Sequence, residues 1–284
     1  MGSQLKQRLI MSALSIFCLV FVISYAHHSI FKPFFILANA AIIGMALVEF
    51  YQLAKNKGYE PLVSLGVTGS FVYLITTYVG MKYPNLQALP FLTLLVSLLI
   101  FFLAFFYKQK GSIVNLSITT FGLVYLALPL TCILQITYFE SPLNMDHGRL
   151  WLTYVLVVTK ITDMGAYIVG KTVGKNKLAV RISPKKTIEG ALGGTLISVG
   201  ASLAFYFYIF SSDQLMTLGQ SIFVGLLISL LAQFGDLAES VLKRDADVKD
   251  SSHLPGFGGV LDVVDSLVFT LPFMYLILHM QLLG

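Results

Sequence analysis

Apolar residues run through this chain in blocks about as long as a bilayer is thick, and polar residues gather in the short gaps between them. Nine such blocks can be drawn, at about 9–26, 33–54, 62–80, 86–107, 113–137, 151–170, 188–210, 217–242 and 259–281. Within a block the apolar residues do not alternate strictly with polar ones, which favours helices over barrel strands. In hydrocarbon every backbone N–H and C=O must be paired inside the protein, and a helix does this within one segment. Pro33, Pro61, Pro84, Pro90 and Pro142 fall at or beside the gaps, where helix-starting prolines belong. The pattern predicts an all-α polytopic membrane protein with about nine transmembrane helices.

Composition agrees. Over 284 residues the hydrophobic fraction is 56%, the charged fraction only 12% and the mean hydropathy +0.81, which excludes a soluble globular domain. The first block follows Lys6 and Arg8 like a secretory signal, but it has no small-x-small cleavage site and many spans follow, so an uncleaved first helix is expected. Cys18 and Cys132 lie in apolar runs at no metal-ligand spacing and read as small core or lipid-facing residues.

Charge orients the chain. With the N-terminus cytoplasmic, the inner segments hold Lys6, Arg8, Lys55, Lys57, Lys108, Lys110, Lys171, Lys175, Lys177, Arg181, Lys185, Lys186, Lys243, Arg244 and Lys249, which is 15 of the 19 cations. Lys32, Lys82 and Arg149 fall outside, and Lys160 falls within a span. The alternation holds at every turn, as the positive-inside rule requires, and puts the C-terminus outside. Acidic residues are unevenly spread. Glu49, Glu60, Glu140 and Asp146 are the only four in the first 150 residues, and the other ten lie between 160 and 265. No inverted repeat of the transporter kind is visible. The expected organisation is a scaffold of helices over 1–110 and a chemistry-bearing region over 111–284. Glu49, near a cytoplasmic helix end, reads as interfacial.

Three clusters carry chemistry. In the first, Asp163 sits mid-span beside Lys160, either as a self-neutralising pair or as a site residue. The basic loop that follows, open to a lipid-surface reading, ends in the more specific Ser183-Pro184-Lys185-Lys186-Thr187 and a Gly-rich helix start, a combination suited to phosphate oxygens. In the second, Asp236, Glu239, Ser240 and Lys243 share one helical face. They suit either a Mg²⁺ held against a phosphate or a solvated helix end with paired charges. The third is the glycine-rich turn Leu254 to Gly259, followed by Asp262 and Asp265 one turn apart. Like charges this close repel unless a cation joins them, although a helix N-terminus alone also favours acids. His253, on a loop, reads as solvated. Together the clusters describe a cytoplasmic site at the membrane interface, suited to an anionic nucleotide and an anionic lipid headgroup reacting by phosphoryl or nucleotidyl transfer.

These motifs resemble the phosphatidate cytidylyltransferases (CDP-diacylglycerol synthases) of bacterial membranes. Ser240, Lys243, Arg244, Lys249 and Asp250 match one family pattern in register. Pro255, Gly256, Gly258, Gly259, Asp262 and Asp265 match the turn and acidic pair that follow. The Gly235-Asp236…Glu239-Ser240 element, the Ser183–Gly190 element and the Asp163…Gly165-Ala166-Tyr167 element are also similar, and the resemblance covers about 150–281. Phe257 and Val263 depart from it, standing where the family usually has histidine and arginine.

The resemblance implies transfer of a cytidylyl group from CTP to phosphatidic acid in the cytoplasmic (inner) membrane, without nucleic acid. It implies Asp236, Asp262 and Asp265 as Mg²⁺ ligands supported by Glu239, with room for a second cation. Lys243, Lys185, Lys186, Arg244 and Lys249 would neutralise phosphates, and Ser183, Thr187, Asp163, Asp250, Gly258 and Gly259 would line the substrate. A homodimer is compatible with this. The alternatives are a CTP-dependent lipid kinase, a CDP-lipid synthase for another lipid such as an archaeal-type ether lipid, and a cation-coupled transporter with its ion site at Asp262 and Asp265.

Overall fold

The computed structural model describes residues 23–106, 111–139, 147–211, 215–249, 251, 259–280 and 282. Among the described residues eight helical segments are long and apolar enough to cross a membrane. They coincide with the last eight of the nine predicted blocks. The first block, 9–26, lies almost wholly outside the described residues.

Helices α1 (Lys32–Asn56), α2 (Val63–Lys82) and α3 (Leu89–Phe105) are each one span. Helix α4 (Ser112–Gly122) runs through a π-helical turn, Leu123–Ala127, into α5 (Leu128–Thr137). The cause is Pro129, which has no N–H to donate to the carbonyl one turn back and whose ring crowds that carbonyl, so the ladder widens just before it. Helix α6 covers His147–Thr172, and α7 (Ile188–Phe205) ends in a second π-turn, Tyr206–Phe210. Helix α8 (Leu218–Asp245) opens on a capping box between Thr217 and Gln220. The last span is two pieces, α9 (Val260–Val264) and α10 (Leu267–His279), broken at Asp265 and Ser266.

The helical class predicted from the pattern therefore stands, with one addition. Lys177–Ala179 (β1) and Ser183–Thr187 (β2) pair antiparallel, Lys177 opposite Thr187 and Ala179 opposite Ser183. This stretch reads as loop in the sequence because it is polar and carries no period-2 apolar signal.

The chain forms two compact units, Met1–Arg149 with Asp250–Val263, and Leu150–Lys249 with Val264–Gly284. They change over between Arg149 and Leu150, whereas the functional division expected from the sequence falls near 110.

The first unit closes around Tyr51 of α1. Its ring is fully buried and its hydroxyl donates to the Thr119 carbonyl of α4 at 2.9 Å. Glycines let the neighbouring helices reach the ring. A Cβ on Gly66 of α2 would lie 2.4 Å from the Tyr51 hydroxyl, and one on Gly122 of α4 would lie 2.6 Å from it. Helix α4 also serves the α1–α2 connection. Asn115 Oδ1 accepts from Glu60 N at 2.8 Å and Thr119 Oγ1 from Leu62 N at 3.0 Å, pairing N–H groups of the segment that enters α2.

The second unit is joined by hydroxyls between helices. Tyr154 of α6 meets Ser202 of α7 at 2.7 Å, and Ser202 donates to the Ser221 carbonyl of α8 at 2.7 Å. Ser198 donates to the Gly225 carbonyl at 3.0 Å, and Thr195 meets Ser229 at 2.9 Å. Lipid competes poorly for such groups, so small polar residues join membrane helices that the hydrophobic effect cannot.

Gly66→Leu should lower the thermal unfolding midpoint in detergent, at a cost of about 1–3 kcal/mol from overpacking against Tyr51. Gly200→Leu, where a Cβ meets nothing within 4 Å, should not lower it.

Candidate active site

Backbone-to-backbone packing within the second unit sets the frame of the site. A Cβ on Gly190 of α7 would lie 2.7 Å from the Ala166 carbonyl of α6, and one on Gly194 would lie 2.9 Å from the Thr162 carbonyl. The glycines expected to serve phosphate thus seat α7 on α6. Thr187 ends β2 and caps α7, its Oγ1 accepting from Gly190 N at 3.1 Å. Glu189 accepts from Lys175 N and Asn176 N at 3.1 Å and from Asn176 Nδ2 at 2.7 Å, folding the connection into β1 back onto the start of α7. At the other end of the hairpin, Arg244 Nε donates to the Ile182 carbonyl at 3.1 Å and Nη1 to the Val248 carbonyl at 3.2 Å. The hairpin is therefore anchored at both ends, and it presents Lys185 and Lys186.

Helix α8 meets the break in the last span at Gly235. A Cβ there would lie 2.4 Å from the Asp265 carbonyl and 3.1 Å from Ser266 Cα, so only glycine admits the contact. The next residue, Asp236, thereby faces the charges of the break. Lys186 Nζ pairs with Asp236 Oδ2 at 2.8 Å. Lys160 Nζ pairs with Asp163 at 3.6 Å and donates to Ser266 Oγ at 3.0 Å. Asp236 interacts electrostatically with both Asp163 and Asp265, and Asp265 is only 7% exposed. Three carboxylates from α6, α8 and the α9–α10 break thus share one neighbourhood with two lysines.

Beside this cluster is a cavity of about 470 Å³. Asp163, Asp236, Lys185, Lys186 and Thr187 line it, all predicted from the sequence, and so do Lys171, Lys177, Tyr167 and Gln233. Lys171 Nζ stands over the Tyr167 ring, 5.7 Å from its centre. The Gln233 amide is fixed from behind, with Nε2 within 3.3 Å of the Ala191 carbonyl, 3.1 Å of Thr195 Oγ1 and 3.0 Å of Ser229 Oγ.

Comparison with known proteins bears on what such a site does. The model of the cytidylyltransferase family matches residues 6–281. The chain belongs to the cytidylyltransferase family. Curated relatives named phosphatidate cytidylyltransferase include one from Bacillus subtilis, 32% identical over 96% of this chain and 97% of the relative. One from Chlamydia pneumoniae is 32% identical over 86% of this chain and 81% of the relative. Another, from Synechocystis, is 34% identical over 85% of this chain and 87% of the relative.

The other predicted site residues of this cytidylyltransferase lie elsewhere. Glu239 is fully buried in α8 and forms an ion pair with Lys243 one turn on. The buried acid depends on this partly exposed base, and losing Lys243 would strand Glu239. Arg244 holds the hairpin, as above. Ser183 pairs with Ala179 in the hairpin, and Lys249 lies beyond the end of α8. Asp250 and Gly258, with Phe257, lie outside the described residues. Asp262 belongs to the first unit, where its carboxylate accepts from Gly259 N at 2.8 Å and Ser251 N at 3.2 Å. In the same unit Glu49 accepts from Ser251 Oγ, Val260 N and Leu261 N.

Sequence reasoning missed Ser266, Tyr167, Gln233 and Glu49. Tyr167 stands inside a motif already noted, which was a usable signal. A serine in an apolar run and a glutamate 211 residues from its partner leave none.

Among the described residues no three His, Cys, Asp or Glu side chains stand together as a ready-made metal-binding group. Mg²⁺ does not demand one. It takes hard oxygen donors, commonly one or two carboxylates, and completes its shell with water and substrate phosphates. Asp236 and Asp265 fit in number and in kind.

The Lys160–Asp163 pair predicts a particular stability pattern. Lys160→Met and Asp163→Asn should each lower the thermal midpoint by several degrees, because each leaves an unbalanced group in a membrane span. The double variant should recover part of the loss, as read by the fraction staying monodisperse after heating.

Proposed function

We propose that this protein transfers the cytidylyl group of CTP to phosphatidate, giving CDP-diacylglycerol and pyrophosphate. The observation that carries the reading is the cavity in which Lys171, Lys177, Lys185 and Lys186 stand beside the carboxylates of Asp163 and Asp236. Four lining cations suit a triphosphate, and the acids suit the ion that accompanies it. The names of the relatives add the nucleotide and the lipid to this picture.

A phosphate oxygen of phosphatidate attacks the α-phosphorus of CTP. A new P–O bond forms there as the bond to the bridging oxygen breaks, and pyrophosphate leaves with the electron pair. The nucleophile is already an anion, so no general base is needed. The chain has to bring two anions together and hold them in line. Lys171, Lys177, Lys185 and Lys186 offset the charge of the polyphosphate and of the leaving group. Lys186 is oriented in advance by Asp236, and β2 is held by the Thr187 cap and the Arg244 tether.

Asp236 and Asp265, together with Asp262 three residues earlier in sequence, would hold Mg²⁺, and a second cation belongs to the same expectation. When bound, Mg²⁺ would neutralise charge on the phosphate oxygens. The bacterial relatives suggest an inner-membrane location, and the distribution of lysine and arginine supports placing the N-terminus and the site on the cytoplasmic side. CTP would then enter from the cytoplasm and phosphatidate from the adjoining leaflet.

The test is incubation of purified protein in lipid micelles with phosphatidate, Mg²⁺ and CTP labelled at the α-phosphorus. Label should enter the lipid with equimolar release of pyrophosphate. Asp265→Asn should lower turnover by about 100-fold or more with unchanged helix content. Label that stays in water, or release of CDP with the γ-phosphate on the lipid, would contradict the proposal, the latter marking a CTP-dependent lipid kinase.

A further inference from the structure

Glu49 lies near the C-terminal end of α1, far in sequence from every residue of the transfer site, yet it is one of the most heavily bonded carboxylates in the first unit. Its Oε2 accepts from Ser251 Oγ and from Leu261 N, both at 2.8 Å, and its Oε1 accepts from Val260 N at 3.0 Å. The Asp262 carboxylate binds the same two flanks from the other direction, accepting from Ser251 N at 3.2 Å and Gly259 N at 2.8 Å. The backbone N–H groups of residues 259, 260 and 261 open α9, and a helix start leaves such groups unpaired unless something outside supplies acceptors. Here two carboxylates supply them, and bonds to an ionised acceptor are stronger than neutral ones. The packing is tight: a Cβ on Gly259 would lie 2.4 Å from Glu49 Oε2 and closer still to Ser251 Oγ.

We propose that Glu49 is a positioning residue for Asp262. Its carboxylate reaches from α1, binds the serine that precedes the glycine turn and the two amides that follow it, and so fixes where α9 starts and where the Asp262 side chain stands. Asp262 alone could not do this, because a carboxylate held by its own turn moves whenever the turn moves. Glu49 ties the start of α9 to a 25-residue helix that Tyr51, two residues further on, anchors in the core. The consequence for catalysis rests on the transfer function proposed above, with Asp262 in the magnesium shell. The consequence for the backbone does not.

The experiment uses the full-length protein in lipid micelles with Glu49→Ala and Glu49→Gln. Amide hydrogen exchange at Val260 and Leu261 should accelerate by about tenfold or more in Glu49→Ala while the amides of α8 keep their wild-type rates. With CTP and phosphatidate, kcat should fall by about tenfold or more and the Mg²⁺ concentration for half-maximal rate should rise, with KM for CTP little changed. Glu49→Gln keeps one acceptor oxygen and should lie between Glu49→Ala and wild type on both readouts. Wild-type exchange at 260 and 261 in Glu49→Ala would overturn the clamp itself. Accelerated exchange with an unchanged kcat and Mg²⁺ requirement would overturn its part in catalysis. A wild-type protein that forms no CDP-lipid would overturn the transfer function instead, and exchange would still decide whether Glu49 holds the turn.

Discussion

A charged side chain near the middle of a membrane-spanning helix costs about 2.5–3.5 kcal/mol on insertion scales unless it finds a partner or water, and Lys160 and Asp163 occupy that position in α6. The two satisfy one another only in part, at 3.6 Å, and Lys160 also turns to Ser266 at the break in the last span. Asp265, beside Ser266, is attracted by Lys160 and repelled by Asp236, and Asp236 is paired with Lys186 of the hairpin. None of these groups is stable alone in an apolar setting. The attraction of Lys160 and Lys186 for these acids joins α6, α8, the hairpin and the broken span at the point where an anionic substrate would be bound.

That arrangement requires backbones to approach more closely than ordinary side chains allow. Gly235 lets α8 touch the backbone of Asp265 and Ser266, and Gly190 and Gly194 let α7 lie on α6. Hydroxyl pairs such as Tyr154–Ser202 and Thr195–Ser229 then hold the helices at that separation. Chemistry and packing therefore alternate along the sequence. Gly235 packs and Asp236 carries charge, while Lys186 carries charge and Thr187 caps. A relaxed glycine contact would move a charge by the width of a methyl group, enough to weaken an in-line transfer.

Much of this was legible in the residues. The spans were visible because lipid imposes one length and one kind of backbone pairing, and eight of the nine predicted blocks recur as helices. Asp163, Asp236, Lys185 and Lys186 stood out because charge beside long apolar runs needs a reason. Other features were hidden for physical causes. The helical phase that placed Glu239 beside Asp236 says nothing of its partner, and Lys243 takes it. Arg244 reads as a phosphate ligand by charge, yet its guanidinium also tethers the hairpin through the Ile182 and Val248 carbonyls. Glu49 reads as interfacial because its bonding partners are more than 200 residues away. Long-range pairing of this sort has no periodicity and no local composition to reveal it.

Lys186 and Asp236 are expected to act as one coupled unit in nucleotidyl transfer, and a double-mutant cycle on kcat/KM measures that coupling. Lys186→Met and Asp236→Asn should each cost about 100-fold or more, and the double variant should be hardly worse than the poorer single one, because residues that act as a unit are strongly non-additive. Two losses that simply multiply in the double variant would contradict the account.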